Sequence, residues 1–135
     1  MILKPDKTAF VSLFYSIPEI DIYKISGKRC STVFYKEFIT PKIIIEKDPN
    51  LDRDYFSWAY ATEDYFYVLS TDLIDQGTYD YYVLVFDWIG KLVARLKIPA
   101  TNNFFVDEQT HKIYTVYYGR DGDNVMICDF SGLLN

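Results

Sequence analysis

The stretch from Tyr55 to Ile98 constrains this chain most. It reads as four alternating runs, Tyr55–Ala61, Tyr65–Ser70, Tyr82–Asp87 and Lys91–Ile98, separated by turn chemistry. Successive side chains of a strand point to opposite faces, so Tyr, Phe, Val and Ile recurring at period two specify half-buried β-strands. Trp88-Ile89-Gly90 joins the last two runs, with glycine where a positive φ costs least. Four short antiparallel strands in about 44 residues match one β-propeller blade, roughly 40–50 residues long. The predicted fold class is therefore all-β and propeller-like.

Two features of that stretch recur. The hairpin Phe86-Asp87-Trp88-Ile89-Gly90-Lys91-Leu92 is echoed by Cys128-Asp129-Phe130-Ser131-Gly132-Leu133 and by Tyr23-Lys24-Ile25-Ser26-Gly27-Lys28. An acidic turn before an aromatic strand occurs at Asp6–Val11, at Glu63–Val68 and at Asp107–Tyr114. Gly90 and Gly132 stand about one blade apart, whereas Gly27 and Gly90 are separated by a blade plus roughly twenty residues. Three matching sets predict three blades in one partial propeller domain spanning 1–135.

Blade one covers about 1–38, with strands at Thr8–Tyr15, Glu19–Ile25 and Ser31–Phe38 and an inner strand either missing or reduced to Ile2–Lys4. A connection over 39–54 holds the surplus, turn-rich from Lys47 to Asp54. Blade two is complete over 55–98. Blade three, about 99–135, has strands at Asn103–Val106, Lys112–Tyr118 and Asn124–Asp129 and only the start of a fourth.

Composition agrees and excludes several classes. Aromatic residues make up 19% of the 135 residues, with 13 Tyr and 10 Phe, which favours sheet over helix. The formal net charge of −5 supplies no basic patch, so no nucleic-acid partner is expected. No run approaches eighteen apolar residues, so no membrane span is expected, and Met1–Asp6 has no signal-peptide core. Cys30 and Cys128 form no CxxC pair; one disulfide is conceivable, but the preferred reading is two buried free thiols.

Val106-Asp107-Glu108, Lys112–Tyr118, Tyr65–Ser70, Val85–Leu92 and Cys128–Gly132 together resemble the TolB-like six-bladed β-propellers of Bacteroides-type proteins, relatives in architecture of NHL propellers. The resemblance covers nearly the whole chain as a pattern of strands and turns. It implies a six-bladed ring of which this chain supplies about half. The resembling family is typically exported to the periplasm or cell surface. Two chains related by a two-fold would supply each other's missing strands and close the ring as a homodimer.

Chemistry-bearing residues are few. Trp58, Tyr60 and Trp88 are candidate stacking platforms, although aromatics in propeller strands usually form inter-blade core. Asp72 and Asp75, with Asp121 and Asp123 in the equivalent loop of the third blade, are candidates for a polar rim around one mouth. Gly119–Asn124 lacks the ligand series and distal glutamate of a calcium loop and reads first as a hairpin turn. His111, the only histidine, reads as a surface turn residue. No catalytic residue, metal site or cofactor is assigned.

The expected function is thus a non-enzymatic binding module, using loops on one propeller face for a protein or carbohydrate-related ligand. The alternative is a propeller hydrolase. That would require Glu63, Asp64, Asp107, Glu108 and His111, all in turns between first and second strands, to converge. A third reading is a remnant of a longer propeller protein.

Overall fold

The computed structural model describes residues 1–15, 17–34, 55–75, 78–119 and 121–134, with backbone alone at Phe34, Leu73, Ile74 and Asp75. Eleven strands occur among the described residues, in three antiparallel sheets. The first contains β1 (Ile2–Leu3), β2 (Ala9–Leu13), β3 (Glu19–Lys24) and β4 (Arg29–Phe34). The second contains β5 (Phe56–Ala61), β6 (Tyr65–Asp75), β7 (Thr78–Asp87) and β8 (Leu92–Ile98). The third contains β9 (Asn103–Asp107), β10 (Lys112–Gly119) and β11 (Gly122–Asp129). Each sheet is a meander in which every strand pairs with its neighbour in sequence.

The second sheet organises the other two because both of its faces are buried. Phe66, Val68, Leu84 and Phe86 meet Val11, Ile20 and Ile22 of the first sheet. Their neighbours Tyr67, Leu69, Val83 and Val85 turn the other way, onto Phe104, Val106 and Ile113 of the third. A strand buried on both faces needs apolar residues at every position. Tyr65–Leu69 and Val83–Phe86 therefore read as continuous apolar runs within a β-rich composition. The first strands lie side by side, β1 against β5 and β5 against β9. The result is an all-β stack of three propeller-like blades.

Three strand extents differ from the sequence expectation. Strands β6 and β7 run on to Asp75 and back to Thr78, through a segment read as loop. Cross-strand pairs Thr71↔Tyr81, Asp72↔Asp80 and Leu73↔Tyr79 extend the ladder there. Tyr79 and Tyr81 alternate with polar neighbours, a period-two signal that overrides the turn chemistry of Asp and Gly. In the third blade, residues 131–133 turn and no fourth strand occurs among the described residues. The connection over 39–54 and the end of the strand read as Ser31–Phe38 lie outside the described residues.

The two recurring turns have a common physical basis. Gly27, Gly90 and Gly132 take φ of 85°, 95° and 79°, the left-handed region that side chains disfavour. Asp87 Oδ1 accepts from the amides of Ile89 and Lys91, and Asp129 Oδ1 from that of Ser131, closing the equivalent turns. The acidic turns are closed likewise. Asp6 Oδ1 accepts from the Thr8 amide and Asp107 Oδ1 from the Gln109 amide. These bonds favour the ionised carboxylate: Lys4 and Thr8 hold Asp6 down to about 2, and Thr110 lowers Asp107.

Gly90 carries a second constraint, because a Cβ there would stand 2.7 Å from Val33 Cγ2 and 3.3 Å from Ile22 Cδ1. The hairpin of the second blade is seated directly on the first. Gly90→Ala adds overpacking to left-handed strain and is expected to cost about 2–4 kcal/mol. Gly27→Ala meets nothing within 4 Å and should cost only about 1–2 kcal/mol of strain. Denaturant midpoints of the two variants check this, and equal losses would refute the inter-blade contact.

Candidate functional site

A polar hollow opens where the second and third blades meet Tyr15 of the first, at the end where β6 turns into β7. It has a volume of about 420 Å³ and is lined by Tyr15, Ser57, Thr71, Tyr79, Tyr81, Thr101 and Asn102. Register explains one wall: Thr71 pairs with Tyr81, so both share with Leu69 and Val83 the face turned toward the third blade. The opposite wall is the approach to β9. Thr101 is buried, its Oγ1 within 2.6 Å of the Asn103 carbonyl and 2.9 Å of that of Val116. Asn102 Oδ1 accepts from the Tyr118 amide at 2.6 Å, which fixes the side chain by its carbonyl end.

Among the described residues, six hydroxyls and one carboxamide line this cleft and no charged side chain does. Burial, then the neighbouring phenols of Tyr117 and Tyr79, push the Tyr81 phenol above its ordinary value of 10.0. At neutral pH it is a protonated donor. Groups that both donate and accept, beside aromatic faces, suit an uncharged hydroxyl-bearing ligand. The volume lies within the range of small-ligand sites, roughly 300–1,000 Å³.

A second hollow, about 360 Å³, adjoins the first through Tyr15 and Ser57 and is walled by Met1, Ile2, Leu13, Phe56, Trp58 and Ala59. Trp58 is 37% exposed there. Its indole N–H donates to the Phe104 carbonyl at 2.9 Å, tying the second blade to the third while the ring stays partly open. Of the seven candidate residues, Trp58 is the one on the groove.

The others are distributed differently. Tyr60 meets Phe105 edge-on, with centroids 6.3 Å apart, in the seam between blades two and three. Trp88 lies toward the opposite end, half-buried against Phe66 at 5.2 Å, its N–H donating to the Thr62 carbonyl at 3.2 Å. Asp72 turns to the other face of its sheet and binds Arg95 Nη2 at 2.8 Å. That guanidinium lies 3.6 Å over the Tyr82 ring. Asp75 has a described backbone only. Asp121 and Asp123 are exposed at the tip of the β10–β11 hairpin.

The carboxylates and histidine of the hydrolase alternative come together only in part: Asp64, Glu108 and His111 share one hollow, whereas Glu63 and Asp107 are engaged elsewhere. Asp107 closes its own turn on Gln109 and Thr110. Glu63 Oε2 is 3.9 Å from Lys4 Nζ. Glu108 Oε1 accepts from the Thr62 hydroxyl at 2.7 Å and the Tyr67 hydroxyl at 2.8 Å, bridging two blades. Asp64, Glu108 and His111 line a separate hollow of about 220 Å³. His111 was read as a surface turn residue. It is half-buried instead, with φ of 56° and its ring 5.8 Å from that of Phe130. Among the described residues, no group of three or more His, Cys, Asp or Glu is placed to hold a metal ion.

The thiol expectation needs correcting. Both cysteines are free, but Cys30 is exposed, because β4 is an outer strand with an irregular register beside it. Cys128 is half-buried, and burial raises its thiol above the ordinary value.

Fold and cleft together define an all-β protein of propeller-like blades with a groove whose described lining is polar and hydroxyl-rich. Compared with protein families, curated proteins and solved structures, the chain matches none. Among the described residues, no helix is long and apolar enough to cross a membrane.

Sequence reasoning missed Thr71, Tyr79, Tyr81, Thr101 and Asn102. The alternation of Tyr79 and Tyr81 was the available signal, since it places both phenols on one face of an extended β7. Nothing local marks Thr101 or Asn102.

Proposed function

We propose that this chain is a non-enzymatic binding module of the propeller type, holding a neutral, hydroxyl-rich ligand of the carbohydrate class. The ligand lies in the groove between the second and third blades. In this reading the three blades are half of a six-bladed, TolB-like ring. What carries the binding assignment is the described cleft lining, made of Tyr, Ser, Thr and Asn side chains. Hydroxyl and amide groups bond sugar hydroxyls in either sense, and the partly open Trp58 ring in the adjoining hollow offers a stacking face.

Calorimetric titration with a panel of neutral oligosaccharides tests this, alongside anionic oligosaccharides of the same length. At least one neutral saccharide should bind, and its anionic counterpart should bind more weakly. Tyr79→Ala and Asn102→Ala should each weaken binding about tenfold, the equivalent of about 1.4 kcal/mol. Ile89→Ser, on an exposed turn toward the opposite end, should leave binding unchanged. No binding across the neutral panel, or equal affinity in Tyr79→Ala, would overturn the reading.

A further inference from the structure

The second blade shows what each face of a blade meets: one face receives the preceding blade, the other the following one. The end blades each use only one of these among the described residues. The far face of the third blade follows from its register. Phe105 pairs with Tyr114 and Tyr114 with Ile127, while Val116 pairs with Val125. These side chains point away from Phe104 and Ile113, which enter the core. Val125 and Ile127 are 65% and 59% exposed, and Phe105, which also meets Tyr60 of the second blade edge-on, is 50% exposed. An apolar face of this extent in water needs an occupant.

The far face of the first blade is built by the same logic. Leu3 pairs with Phe10 and Phe10 with Tyr23, opposite to Val11 and Ile22 in the core. The Phe10 and Tyr23 rings stack at 5.0 Å and Leu3 is 46% exposed beside them. In order along the stack, the first blade's free face is the kind that receives a preceding blade. The third blade's free face is the kind that receives a following one.

We propose that a second copy of this chain covers both free faces, the third blade of each copy seated on the first blade of the other. This deepens the half-ring reading and rests on it. Charge agrees with this pairing. The end of the first blade's free face carries Arg29, its side chain 61% exposed and 3.8 Å from Asp21. The corresponding end of the third blade's free face carries Asp107, Lys112 and Asp129 in one cross-strand row, net negative. Hydrogen bonds from Thr110 and Ser131 hold the two carboxyls below the usual range, so both are ionised at neutral pH.

Area agrees too. Three strands at ~4.8 Å spacing and about eight residues at ~3.3 Å give a face of roughly 350 Å². Two such junctions bury on the order of 1,500 Å² counting both partners, the size of a stable interface. Because the contact is head-to-tail, it closes only if the rotation per chain is half a turn.

Light scattering coupled to size exclusion on the full chain tests the proposal. The expected mass is twice 15.9 kDa. Ile127→Glu should return the mass to one chain with an unchanged β-sheet circular dichroism spectrum. Arg29→Asp and Asp129→Arg should each weaken association about tenfold, and the double variant should restore it. A single-chain mass for the natural sequence at all concentrations would overturn the proposal. So would a pair indifferent to Arg29→Asp, which would mean third blade on third blade, or an open series of larger assemblies. Oligosaccharide titration of the Ile127→Glu monomer reports separately on the cleft, so assembly and binding can fail independently.

Discussion

Replacing Phe66 by alanine should destabilise the protein by about 3–5 kcal/mol, the cost of truncating a fully buried aromatic and leaving a cavity. Phe66 is 0% exposed, stacked on Phe86 at 5.3 Å and against Trp88 at 5.2 Å, and belongs to the core shared with the first blade. Against a total stability of roughly 5–15 kcal/mol, such a loss approaches unfolding. Phe66→Leu keeps more of the volume and should lose about half as much. Denaturant unfolding of both checks this. A loss under about 1 kcal/mol for the alanine variant would mean that blades one and two are not joined through this ring.

Glu108→Ala should cost about 2–4 kcal/mol, although its carboxylate lies at a turn. It removes the acceptor for two hydroxyls, and the one on Tyr67, a residue 0% exposed, would be left buried without a partner. Tyr67→Phe alone should cost about 1.5–3 kcal/mol, the range for a hydrogen bond to a charged group. In the double variant the costs should not add, because the phenol that Glu108→Ala strands is absent.

The same pair predicts an alkaline limit. Burial first, and the Glu108 carboxylate second, hold the Tyr67 phenol far above its ordinary 10.0. A raised folded value stabilises the fold fully below the unfolded value. That contribution is lost as pH rises above about 10 toward the folded one. Stability should fall in that window for the natural sequence and fall less in Tyr67→Phe. Identical alkaline limbs would show that Tyr67 ionises freely in the folded chain.

The sequence alone determined whatever depends on neighbours in the chain. Period-two runs located ten of the eleven strands' cores and, through Ile2–Lys4, the reduced first one as well. Gly27, Gly90 and Gly132 announced three equivalent turns, two of which close hairpins, since a positive φ has few tenants other than glycine. Three blades followed by counting. The thiol exposure and the extent of β6 and β7 were misread because strand pairing, a tertiary choice, decided them.

Only the tertiary structure decided the cleft. Its residues come from 15, 57, 71, 79, 81, 101 and 102, brought together when all three blades stack. Ser, Thr and Tyr are ordinary strand and turn residues, so no spacing distinguishes these hydroxyls from others in the chain. Trp58 could be suspected from its type. Its fixed orientation depends on the Phe104 carbonyl, a backbone group that every residue has. Glu108 is the reverse case. It looked like a free acid in a turn and is a bridge between blades, because Thr62 and Tyr67 arrive from another sheet. Turns are settled by local backbone energetics, whereas a site between blades is settled by which faces stack.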